Sequence, residues 1–71
     1  MTTKQRTSFP YSNLYYNING RIYRCLLYYN RPIGVYTKTN IPLNPEGRLE
    51  RLIVRLAKQQ ISYLEALTAA N

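Results

Sequence analysis

The chain of 71 residues has no histidine, no aspartate and no tryptophan, and it has one cysteine, Cys25. Without His or Asp, a serine or cysteine nucleophile has no customary base, so acyl-transfer chemistry of the triad type is excluded. The three acidic residues, Glu46, Glu50 and Glu65, fall in one C-terminal segment. No second element offers a facing carboxylate for paired acid and base work. With Cys25 as the lone soft ligand, no metal site is expected. Gly20, Gly34 and Gly47 fit neither a dinucleotide-binding nor a phosphate-loop spacing. The chain is therefore read as non-catalytic, with no cofactor and no small-molecule substrate.

Other absences bound location and state. One cysteine cannot close a disulfide within the chain, and Cys25 lies in an apolar run where a thiol serves as a small buried side chain. No stretch approaches the roughly 18 apolar residues of a membrane span, and MTTKQRTSFP lacks an apolar leader core. The expectation is a cytoplasmic protein of a reducing compartment without a transmembrane segment. A chain this short supports one domain with a modest core, so a dimer, or a subunit of a larger assembly, is the expected state.

What the sequence does have is positive charge and tyrosine. Ten Lys and Arg against three acids leave a net charge of +7, and eight residues are Tyr. Such a balance favours an anionic partner: nucleic acid, an acidic protein or an anionic membrane surface. The membrane reading is the weakest, because the one amphipathic stripe is needed inside the fold.

The strongest local signal is Asn19-Gly20, the preferred pair of a two-residue hairpin turn. Pairing Ile18 with Arg21 puts Leu14, Tyr16, Ile18, Tyr23, Cys25, Leu27 and Tyr29 on one face, the expected core face. The other face collects Asn13, Tyr15, Asn17, Ile22, Arg24, Leu26 and Tyr28. A second turn over residues 30–32 leads to a third alternating run, IGVYTKT. A three-residue loop there sends Ile33 and Val35 inward and Gly34, Tyr36 and Lys38 outward, whereas a two-residue loop reverses the pattern; the three-residue loop is the expected one, because it buries the β-branched pair.

The period then changes to that of a helix. Asn44 is the candidate cap, Pro45 suits the first helical position and Glu46 the first turn. Leu49, Leu52, Ile53, Leu56, Gln60, Tyr63, Leu64 and Leu67 form the stripe expected to cover the sheet. Arg48, Arg51, Arg55 and Lys58 recur at steps of three, four and three on the opposite side, a single-sign stripe. The fold class is thus α+β: a three-stranded antiparallel sheet on one C-terminal helix, β-β-β-α, over residues 13–71. A flexible basic arm carrying Lys4 and Arg6 is expected over 1–12.

GRIYRCLLYYNRPIGVYTKT followed by a helix resembles the small N-terminal arm-binding domains of tyrosine-family phage and transposon integrases, and more distantly the plant ethylene-response DNA-binding domain. The resemblance implies a sheet laid in the DNA major groove, with Arg21, Arg24, Tyr28, Arg31, Tyr36 and Lys38 facing DNA and Arg21 and Arg31 at turn ends near phosphate. This helix begins NPEGRLERL where those domains often start with Thr followed by Glu-Ala, and its charge stripe lies away from the sheet face they use. The resemblance implies a free-standing adaptor at most.

The expected function is nucleic-acid (DNA) binding of mobile-element or regulatory type. Its candidate contacts are Tyr15, Arg21, Arg24, Tyr28, Arg31, Tyr36 and Lys38, with Arg48, Arg51, Arg55 and Lys58 on the helix. The alternative is an interaction protein, a phage-type inhibitor or accessory subunit, that docks this Tyr- and Arg-rich surface on an acidic protein.

Overall fold

A computed structural model describes residues 10–70. Three strands, β1 (Tyr11–Ile18), β2 (Arg21–Tyr28) and β3 (Arg31–Thr37), form an antiparallel sheet in the order β1-β2-β3, followed by the helix α1 (Arg48–Ala70). The strand β1 takes in Tyr11 and Ser12, so it begins two residues before the boundary expected from the sequence. Residues 1–9 of that arm, with Lys4 and Arg6, lie outside the described residues.

The first hairpin closes as the dipeptide demands. Asn19 and Gly20 have φ of 52° and 83°, Ile18 pairs with Arg21, and the Asn17 Oδ1 accepts the Gly20 N–H at 3.0 Å. With register fixed there, alternation places Tyr23, Cys25 and Leu27 in the core and Tyr15, Ile22 and Tyr28 outside.

The second hairpin corrects the sequence reading. Its loop has two residues, Tyr29 and Asn30, both in the left-handed region with φ of 49° and 65°, and Tyr28 pairs with Arg31. Tyr29 is therefore a turn residue, 57% exposed, and not part of the core face. A two-residue loop alone would turn Val35 outward. The register instead shifts at Leu26/Leu27, where Leu27 pairs with Pro32 and Leu26 with Gly34, so Ile33 is the extra residue of a bulge. Parity is restored from Gly34 onward: Val35 opposes Cys25 in the core, whereas Ile33, expected inside, is 54% exposed.

After β3 the chain folds back along it. Thr37 N–H donates to the Ile41 carbonyl (2.9 Å) and Leu43 N–H to the Val35 carbonyl (2.9 Å), so residues 41–43 shield the outer edge of β3. Asn44 then caps a turn and not the helix itself: its Oδ1 accepts from Glu46 N–H at 3.0 Å and its carbonyl from Gly47 N–H at 2.9 Å. The first α-type bond runs from Arg51 N–H to the Gly47 carbonyl (3.1 Å), so α1 starts about one turn later than Pro45 suggested, with Glu50 as its first-turn acid.

The core consists of Tyr23, Cys25, Leu27, Val35, Ile53 and Ala57, ringed by Leu14, Tyr16, Ile18, Leu43, Leu49, Val54 and Ile61. The helix packs chiefly over β3 and then β2. Its buried line runs through Ile53 and Ala57, flanked by Val54 and Ile61, and is rotated from the expected stripe. Leu52, Tyr63, Leu64 and Leu67 are exposed as a result. Gln60 keeps its expected place and accepts a 2.7 Å hydrogen bond from the Tyr16 hydroxyl.

Candidate functional site

The outer face of the sheet is built around Arg24, the central residue of the central strand. Its cross-strand neighbours are Tyr15 on β1 and Tyr36 on β3. Its guanidinium lies over the Tyr36 ring, 4.7 Å from the centroid. Nη1 donates to Asn13 Oδ1 (3.0 Å) and Nη2 to Asn40 Oδ1 (3.1 Å). An arginine on a solvated face ordinarily keeps its rotamer freedom; this one is fixed flat by three contacts and retains three further N–H donors for a ligand.

Each support has a local cause. The Tyr36 ring lies back over Gly34, where an added Cβ would stand 3.2 Å from its Cε1; glycine leaves the ring room to lie flat. Asn40 takes φ of 68° at the turn after β3, closed by its N–H to the Thr37 carbonyl at 2.8 Å, and that turn aims its side chain at Arg24. Asn13 shares the outer face of β1.

Tyrosines surround this centre. Tyr28 is 42% exposed, with its ring 5.0 Å from that of Tyr11 and 4.7 Å, edge to face, from that of Tyr29. Tyr15 is 64% exposed. Together Tyr15, Ile22, Arg24, Thr37, Lys38 and Asn40 line an open depression of about 170 Å³. Tyr11, Tyr29 and Asn40 were not among the sequence candidates. Tyr11 was hidden by its assignment to the arm, and Asn40 by the absence of any sequence signal for its turn.

Of the predicted residues, Arg24, Tyr15, Tyr28, Arg31, Tyr36 and Lys38 share the outer side. Arg21 does not: it has the parity of Tyr23 and Cys25, so it leaves the sheet on the helix side, at the turn end. Arg48, Arg51, Arg55 and Lys58 are all exposed. At about 100° per residue they centre opposite Ile53, on the far side of the helix from the sheet. The structure thus has two basic surfaces facing opposite ways across a body 38 × 22 × 21 Å in extent.

The remaining titratable groups point to packing. Burial, and then the charge of Glu50, push the Cys25 thiol above its ordinary range. Burial, and then Cys25, do the same to Tyr16. Both effects favour the neutral forms, the reverse of an activated nucleophile. Among the described residues no three of His, Cys, Asp and Glu come together to hold a metal, and no helix is long and apolar enough to cross a membrane.

Compared with protein-family models, curated proteins and solved structures, the chain matches none.

Proposed function

We propose that this is a non-catalytic DNA-binding protein that presents the outer face of its sheet to the duplex. The observation that carries the reading is the fixed Arg24 guanidinium, stacked on Tyr36 and tied to Asn13 and Asn40. A planar fork held at the centre of an exposed, tyrosine-rich face suits base edges or phosphate, because little rotamer entropy is lost on contact. Arg31 and Lys38 flank it for phosphate contact, and the exposed rings of Tyr15 and Tyr28 offer apolar surface to sugars and bases. The net charge of +7 supplies the long-range attraction.

The test is fluorescence anisotropy with a labelled duplex at low salt. Binding is expected, and Arg24→Ala or Tyr28→Ala is expected to weaken it while the fold, followed by circular dichroism, is unchanged. No affinity at low salt refutes the proposal.

A second reading draws on the rotation of α1. Leu52, Tyr63, Leu64 and Leu67 stand exposed on the helix that carries Arg48, Arg51, Arg55 and Lys58, a mixed apolar and basic surface suited to an acidic protein partner. Nuclease treatment before affinity purification separates the two: a protein partner stays with the chain and nucleic acid does not.

A further inference from the structure

The two edges of the sheet are treated very differently. The edge at β3 has the devices that prevent strand addition: Arg31 and Pro32 at its start, a bulge at Ile33, and residues 41–43 hydrogen-bonded along it. The strand β1 has none of them. It runs eight residues, YSNLYYNI, without charge, proline or bulge in its register. Among the described residues nothing bonds to its outer backbone groups. We propose that β1 is the seam of a homodimer, in which two copies pair antiparallel along it to make one six-stranded sheet.

The charge distribution argues for a second copy. Two chains of +7 repel over most of their surfaces, and β2, β3 and α1 each carry arginine. Only β1 among the elements is uncharged, so it is the one line along which like molecules approach closely without opposed charges. Ladder geometry narrows the register. Because Ile18 and Arg21 flank a two-residue turn, they form a hydrogen-bonded pair, and the outward amides belong to Tyr11, Asn13, Tyr15 and Asn17. Those residues must pair among themselves. Two-fold pairing that joins Asn13 to Tyr15 of the second copy forms about eight backbone hydrogen bonds, and pairing Tyr15, or Asn13, to its own equivalent forms about six.

A two-fold axis perpendicular to the sheet sets both helices on one side and both Arg24 faces on the other. The seam is about 26 Å long. A contact of that length belongs with the small, weaker class of interfaces, so the dimer is expected to depend on concentration.

Sedimentation velocity on nuclease-treated protein from a few micromolar to several hundred micromolar tests this independently of DNA binding. A concentration-dependent dimer is expected, tightening as added salt screens the charge. Tyr15→Pro removes an outward amide without breaking any bond to β2, and Tyr15→Lys places a charge on the seam. Each is expected to weaken the dimer at least tenfold with an unchanged circular dichroism spectrum. A wild-type monomer throughout the range overturns the proposal. So does a dimer that survives both Tyr15 substitutions, and one lost instead on Leu64→Glu places the contact on the helix.

Discussion

The opposed placement of the two basic surfaces makes the salt dependence of DNA binding a test of which face is used. Each phosphate neutralised by Lys or Arg releases condensed counterion, and log K falls with log salt by about 0.9 per contact. The sheet face offers Arg24, Arg31 and Lys38, so its limiting slope is about −2.7; participation of Lys4 and Arg6 extends this to about −4.5. A straight duplex cannot touch the outer sheet and the far side of α1 together across a body 22 × 21 Å in its shorter extents. From 50 to 200 mM salt, three contacts correspond to a loss of about 40-fold in affinity. Neutralising two sheet cations, Arg31→Gln with Lys38→Gln, should flatten the slope by about 1.8, whereas Arg51→Gln with Arg55→Gln should leave it unchanged. All four side chains are exposed, so stability should move by no more than about 0.5 kcal/mol per substitution. Anisotropy titrations at four or five salt concentrations measure each slope. A flattening caused by the helix pair and not the sheet pair refutes the assignment, and a wild-type slope steeper than about −6 per bound chain refutes the premise that one face binds at a time.

The other expectations are simpler. Asn40→Gly retains the left-handed turn but frees one arm of the Arg24 fork; DNA affinity should drop about threefold to fivefold with little change in thermal midpoint. Ile53→Ala opens a cavity at a fully buried site and should cost about 2–5 kcal/mol by urea titration. For a chain of this length that is a large share of a total on the order of 4–10 kcal/mol. Since the folded chain holds the Cys25 thiol protonated beyond its ordinary range, the unfolded chain loses that proton first as pH rises. The urea midpoint should therefore fall above about pH 9, and less steeply in Cys25→Ala.

Legibility in the sequence followed the strength of the local rule. Asn-Gly admits essentially one tight hairpin, and once Ile18 faced Arg21 the alternation placed Cys25 and Leu27 inside and Arg24 and Tyr28 outside without further information. The second turn had no such rule. Tyr29 occupies a left-handed position that costs a non-glycine residue about 1–2 kcal/mol, and composition gives no reason to put it there. The bulge at Ile33 then repaired the parity, so Val35, Gly34 and Tyr36 were placed correctly although the loop was one residue shorter than expected. The shorter loop and the bulge offset each other at Val35, and their effect is seen at Tyr29 and Ile33. The Arg24 centre was half legible: its face followed from alternation, but the hold of Asn40 depends on a turn after β3 that no dipeptide announces.

The rotation of α1 has a steric and a dimensional cause. The richest leucine stripe passes through Leu52, Leu56 and Tyr63, and hydrophobicity alone aims it at the sheet. The inner face, however, already carries Tyr23 and Leu27, and the helix residues fully buried against it are Ile53 and Ala57. A small residue there allows backbone approach that Leu56 at the same spot would obstruct. Length does the rest. Twenty-three helical residues span about 34 Å against about 26 Å for an eight-residue strand. Beyond Ile61 the helix has outrun the sheet, so Leu64 and Leu67 are exposed whatever their hydrophobicity. Leu64→Lys should consequently change stability by less than about 0.5 kcal/mol, whereas Ala57→Leu, by overpacking a fully buried site, should cost about 1–3 kcal/mol. Equal losses from the two, measured by urea titration, would mean that the helix sits on its leucine stripe after all.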